Sequence, residues 1–504
     1  MFQKVIILIS ILLINCQAIY SQELWCIYSI SQSTGYTCRL TIINPEGFNN
    51  FTRIPGLHIT GMTDEDVVTV TADTGNPQSN TANIPSIICD TFPNTRSSQL
   101  RSIGIRKIHE YSFRNCKQLT HIHLNGNNIT EVEENSFIEN TELFWLELWF
   151  NDLPTLPENV FANQQKLDRL RLDFNKITDL PENIFVPLRN LTYLGLESNL
   201  IKDLKVRWFE NFTNLRTLWL FANQIEELPS NIFHSLSTLV SLGLSVNNIP
   251  NLTTEMFEHF VNLEELYLDR NAFEDLPLNF FNSMTNLNVL DLGNNKLPNL
   301  RIEWFEPLKN LLFLGLNDLG ITELPADIFA SLTKLDTLIL SENEIEELPA
   351  NIFSSLLNIT VIRLDGNNLK VINSNSFGIS SNLSFFTAAD NDIDAVDEKF
   401  IDNTQIWGID MRNNSCVNSF FYDDSESRQI IRNGLRQCFM NFEISNPGCV
   451  GGNLDERVCS IEDNNQEQQK QIEDLQEAVR ELQSQIQELM NRPVQSIEYD
   501  ALIN

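Results

Sequence analysis

The sequence predicts an α/β solenoid: a horseshoe with a parallel β-sheet along its concave side, disulfide-stapled caps and a short C-terminal coiled coil. Three observations predict it. A 24-residue apolar pattern recurs through the middle of the chain, four cysteines stand on each side of a long cysteine-free centre, and a heptad seam runs close to residue 490. Composition is that of a folded chain, with 42% apolar and 20% charged residues among 504. The net charge of -33 disfavours nucleic acid and anionic membrane surfaces, since binding phosphate needs clustered Lys and Arg.

The first segment, 1–21, reads as a secretory signal peptide. Lys4 precedes the apolar run Val5–Ile14, and cleavage falls near Ala18 or Ser21. The alternative, a retained anchor, requires a longer apolar run, and no other stretch reaches the roughly 18 residues of a membrane span. A secreted, extracellular protein without a membrane span is therefore expected. The other cysteines fit that compartment: Cys26, Cys38, Cys89 and Cys116, then Cys416, Cys438, Cys449 and Cys459. So do eight N-x-S/T glycosylation sequons, at Asn50, Asn128, Asn190, Asn211, Asn251, Asn358, Asn382 and Asn413.

Residues 22–94 lack the repeat and read as an N-terminal cap, with strand-like DVVTVTAD and a Cys26–Cys38 hairpin staple; Cys89 is expected to pair with Cys116. Residues 95–415 carry the repeats. The pattern L-x-x-L-x-L-x-x-N begins at Leu119, Leu143, Leu167 and every 24 residues to Leu383, and a further strand around Ile409 closes the array. Upstream, Ile105, Ile108 and Phe113 fit the back half of one more unit. These are leucine-rich repeats. The leucines point inward from a short strand, alternate residues face the concave side, and a Phe column from Phe137 to Phe400 packs the convex side. The Asn at position nine, from Asn127 to Asn391, should pair buried backbone where each strand turns. Leu319 interrupts that column, implying a slight bend or compensation by Asn317 or Asp318. The units from Leu191, Leu239 and Leu287 lack a Leu-Pro step, so repeats alternate in pairs, with Trp208 and Trp304 read as convex core.

Residues 416–460 form a C-terminal cysteine cap. Cys416 and Cys438 flank a helix-like segment, while Cys449 and Cys459 either close a small loop or bond another chain. In 461–492, Ile472, Leu475, Val479, Leu482, Ile486 and Leu489 form a coiled-coil seam, β-branched at a and Leu at d, which favours a parallel dimer with the same chain or a relative. The alternative is a lone helix folding back on the cap. Residues 493–504 are a tail.

No nucleophile motif, phosphate-cradling loop or metal-ligand spacing is present, so no enzyme, cofactor or metal is expected. His121 and His123 share one concave strand and read as exposed histidines. The concave positions instead carry Trp145, Trp149, Arg169, Arg171, Tyr193, Trp219 and Phe221. They predict one aromatic cluster over four adjacent units with a local positive spot, suited to a protein or glycan ligand.

The signal peptide, repeats, cysteine-bearing ends and coil resemble the secreted leucine-rich-repeat proteins of dipteran insects. So do C-x-Y at Cys26–Tyr28, Y-T-C at Tyr36–Cys38 and the run NPEGFNNFT. The layout is similar to the mosquito leucine-rich immune proteins, though the coil here is shorter. That resemblance implies circulation in haemolymph, dimerisation through cysteines and coils, and complement-like thioester partners. The expected function is a secreted, non-catalytic binding module in innate immunity; the alternative is a matrix or adhesion protein acting in development.

Overall fold

Leucine spacing dictates the architecture. In each unit the apolar residues at positions one, four and six are driven inward, and only a short strand can turn them all to one side. In the computed structural model, Leu143, Leu146 and Leu148 are fully buried, as are their counterparts in later units. The structure describes residues 24–31, 35–42, 62–73, 84, 87–378, 382–423, 425 and 428–445. The segment 1–21, Asn50, Cys449, Cys459, the heptad seam and the tail lie outside these. The chain divides into two units, Met1–Phe442 and Glu443–Asn504, and the repeats and both disulfide-bonded ends belong to the first.

One three-residue strand per repeat builds a parallel sheet from His121–His123 through Trp145–Glu147 and its successors to Phe385–Thr387 and Gly408–Asp410. Each neighbour pairs residue for residue, so equal repeat positions stand side by side. The cap continues the same sheet. Leu24–Ser31 and Gly35–Ile42 form an antiparallel hairpin, Thr69–Asp73 joins it in parallel, and Ser97–Gln99 links it to His121–His123. That last strand completes the unit of which only the back half was legible. Two of its three inward positions are Thr95 and Ser98, buried polar residues where leucines would stand; the third is Leu100.

The ends are stapled by Cys26–Cys38, Cys89–Cys116 and Cys416–Cys438. The convex Phe residues, Trp208 and Trp304 are buried, and Trp208 donates its indole N–H to the Pro181 carbonyl at 3.0 Å. Where the Leu-Pro step is missing the chain closes a turn of helix, at Val206–Phe209, Thr254–Phe257 and Ile302–Phe305.

The asparagine column binds as its chemistry requires. Asn151 accepts from the Ile129 N–H at 3.1 Å and donates to the carbonyls of Leu124 and Leu148 at 3.1 and 2.9 Å. At Leu319 the solution lies in the next unit. Asn343 accepts from both Leu319 and Ile321 N–H, at 3.0 and 3.1 Å. Asn317 and Asp318 instead bond the Asn294 side chain, so neither replaces the missing amide.

Candidate functional site

The concave face is assembled by register. Trp145, Arg169, Tyr193 and Thr217 stand in one row across four strands, and Glu147, Arg171, Gly195 and Trp219 in the next. Neighbouring strands put the cations over the indoles: Arg169 lies 5.2 Å from the Trp145 ring centre and Arg171 4.7 Å from that of Trp149.

The seven predicted residues form two groups rather than one cluster. Trp145 pairs with Arg169 and Trp149 with Arg171, with Tyr193 beside Arg169 in the register. Trp219 and Phe221 instead gather with Tyr267, at ring distances of 5.8 and 5.9 Å from Trp219. The cause is a pair of glycines. Trp219 and Phe221 lie over Gly243, where an added Cβ would approach their rings to 2.6 and 2.9 Å. Over Gly195 sit carboxylates instead, since a Cβ there would be 3.0 Å from both Asp173 Oδ1 and Glu197 Oε2. The aromatics are half-buried rather than exposed.

The expected positive spot is also reduced. Arg171 holds Asp173 with two hydrogen bonds, 3.0 and 2.7 Å, and Asp173 is fully buried. Burial raises the Asp173 carboxyl above its ordinary range against the pull of Arg171. Glu197, also buried, is pushed up to about 8 by desolvation and then by the charge of Asp173, and its Oε2 has no hydrogen-bond partner. His123 is buried rather than exposed, and bonds Glu147 at 2.7 Å. Burial acts to raise Glu147, but that hydrogen bond and the charges of His123, Arg101 and Arg171 outweigh it, leaving its pKa lowered.

Two sets of residues escaped the sequence reading. Phe150 and Phe174, at position eight, are 60% and 47% exposed with ring centres 6.3 Å apart. Both adopt left-handed backbone, φ 56° and 52°, as this position does in the other units, whether Gly126 and Gly366 or Ser198, Ala222 and Val246 stand there. A Phe just before the ladder Asn in consecutive units was the available signal. At the far end Phe385, Trp407, Phe420 and Tyr422 form a chain of ring contacts. Trp145 and Trp149 keep their indole N–H groups without an acceptor among the described residues. Among the same residues no group of three or more His, Cys, Asp or Glu could hold a metal, and no helix is long and apolar enough to cross a membrane.

No curated protein matches the sequence. Among solved structures, a leucine-rich-repeat protein of Leptospira interrogans is 25% identical with a TM-score of 0.64, covering 74% of this chain and 95% of its own. Toll in complex with Spätzle, from Drosophila, is 20% identical with a TM-score of 0.59; it covers 72% of this chain, which spans 50% of that one. The LRIM1/APL1C complex, from mosquito immune proteins, is 17% identical with a TM-score of 0.58, covering 94% of this chain and 84% of its own. The last two likenesses are of fold alone. The Leucine rich repeat family matches at residues 93–153, 142–201, 165–225, 213–273, 261–319, 314–369 and 333–393. Overlapping matches over more than half the sequence, on a solenoid whose repeats bury mainly leucines at the same inward positions, make this chain a member of the leucine-rich repeat family.

Proposed function

We propose that the protein is a secreted, non-catalytic recognition module of innate immunity that binds a protein ligand on its concave face. The observation that carries this reading is the Trp145–Trp149–Arg169–Arg171 group with the exposed pair Phe150 and Phe174 at its rim. Arg, Trp and Phe there offer stacking surface. Phe150 and Phe174 add exposed aromatic surface beside that group. None of the seven sequons among the described residues falls on the concave strands, so glycans there would crowd the flanks and leave this face open.

The Toll–Spätzle complex is a hub of both development and innate immunity in Drosophila, so that fold neighbour is compatible with the developmental alternative as well. Transcript rising after microbial challenge supports the immune reading; expression confined to embryonic tissue supports the other. For the binding face, the natural partner is first captured from body fluid and identified. Trp149→Ala is then expected to weaken its binding by about 2 kcal/mol or more, and Trp219→Ala likewise. Unchanged affinity in both, with unchanged thermal melting, moves the site off this face.

A further inference from the structure

The parallel sheet does not end on a repeat. Its last strand, Phe420–Tyr422, runs antiparallel on Gly408–Asp410 and, among the described residues, pairs with nothing else. The hydrogen bonds on either side decide which of its groups are used. Asp423 N–H donates to the Trp407 carbonyl at 2.8 Å, and Met411 N–H to the Ser419 carbonyl at 3.0 Å. In an antiparallel ladder bonded pairs alternate, so Phe421 is the bonded residue opposite Ile409. Phe420 and Tyr422 therefore turn their N–H and C=O groups outward, away from the sheet. Both side chains are exposed, 48% and 54%, and lie on the concave side against Phe385 and Trp407. The opposite side is closed, since Phe421 packs on Gly434 of the helix Gln429–Gly434. That helix and the following one, Arg436–Ser445, leave Ile430 and Met440 exposed.

Unprotected edges are usually blunted by Lys, Pro, a bulge or a covering element. This one, Ser419-Phe-Phe-Tyr-Asp423, has no Lys or Pro and presents two aromatics. We propose that this edge strand docks on the same strand of a second copy of the chain, joining two concave sheets end to end. The edge is self-complementary. An antiparallel register centred on Phe421 sets Phe420 opposite Tyr422 of the second copy, and Tyr422 opposite its Phe420. All the outward backbone groups of both residues are then paired, and the aromatics stack across the junction. The heptad seam from Ile472 to Leu489, on the reading that it forms a parallel dimer, would hold two such edges at high effective concentration.

The test is hydrogen exchange at the Phe420 and Tyr422 amides in the full chain, followed from about 1 to about 100 μM alongside sedimentation. Exchange is expected to slow by about tenfold or more as the dimer forms. Phe420→Lys with Tyr422→Lys is expected to weaken self-association by about tenfold or more with an unchanged melt. A dimer whose two amides exchange as fast as in the monomer overturns the proposal. Protection independent of concentration also overturns it, because the chain's own C-terminal segment is then the cover. Leu475→Asp with Leu482→Asp reports on the seam separately. A dimer that persists in this variant removes the seam from the argument, and amide protection then decides the edge alone. A wild type monomeric throughout the range overturns both.

Discussion

Glu197 shows how one position on a repeat can acquire chemistry of its own. It occupies position seven beside the glycine of its strand, so its carboxyl settles over the backbone next to Asp173 instead of reaching solvent. In the folded chain it titrates near 8, above its ordinary 4.5. Between those values the folded state keeps a proton that the unfolded state has lost, so the contribution of this group is fully present at low pH and declines as pH rises towards 8. Glu197→Gln, which keeps the shape and cannot ionise, is expected to flatten that decline. Its melting temperature should exceed that of the wild type at pH 8.5 and match it near pH 4. Parallel melting curves across the whole range would show that Glu197 does not carry this proton. The residue type was plain in the sequence, but its burial followed from Gly195 and Asp173 on neighbouring turns.

At the scale of an element, the asparagine ladder ties each turn to the one before. Most members accept a single N–H, as Asn295 does from Phe273 at 3.2 Å, whereas Asn343 accepts two because Leu319 provides none of that bonding. An unsatisfied buried donor costs about 1–3 kcal/mol, so Asn343→Ala is expected to destabilise by about that much more than Asn295→Ala. Calorimetric melting of the two variants measures the difference, and equal losses would mean that the second bond contributes nothing. The gap at Leu319 was visible from the pattern. Its repair was not, because the compensating residue looks identical to every other ladder Asn.

For the whole molecule, charge opposes assembly. A net charge of -33 makes two copies repel, and screening shortens that repulsion to about 10 Å at 0.1 M salt. Self-association is therefore expected to strengthen as NaCl is raised from about 50 to about 500 mM, read by sedimentation equilibrium. Weakening over that range would point to ion pairs at the junction in place of an apolar edge.

The sequence by itself determined the repeat, its register, the inward leucines, the buried Phe column and which residues reach the concave side. All of these follow from a fixed period acting on a strand two residues in repeat and a solenoid of constant pitch. Tertiary structure alone decided how the concave side chains share space. Gly243 lets Trp219 and Phe221 lean towards Tyr267, Gly195 is covered by two carboxylates, Arg171 is spent on Asp173, and His123 is buried against Glu147. It also decided where the sheet stops, on an antiparallel strand with its hydrogen-bonding groups turned outward. The physical reason is one of range. Periodicity sets the direction of a side chain from its own turn, whereas contact, burial and charge depend on what the turns on either side place next to it.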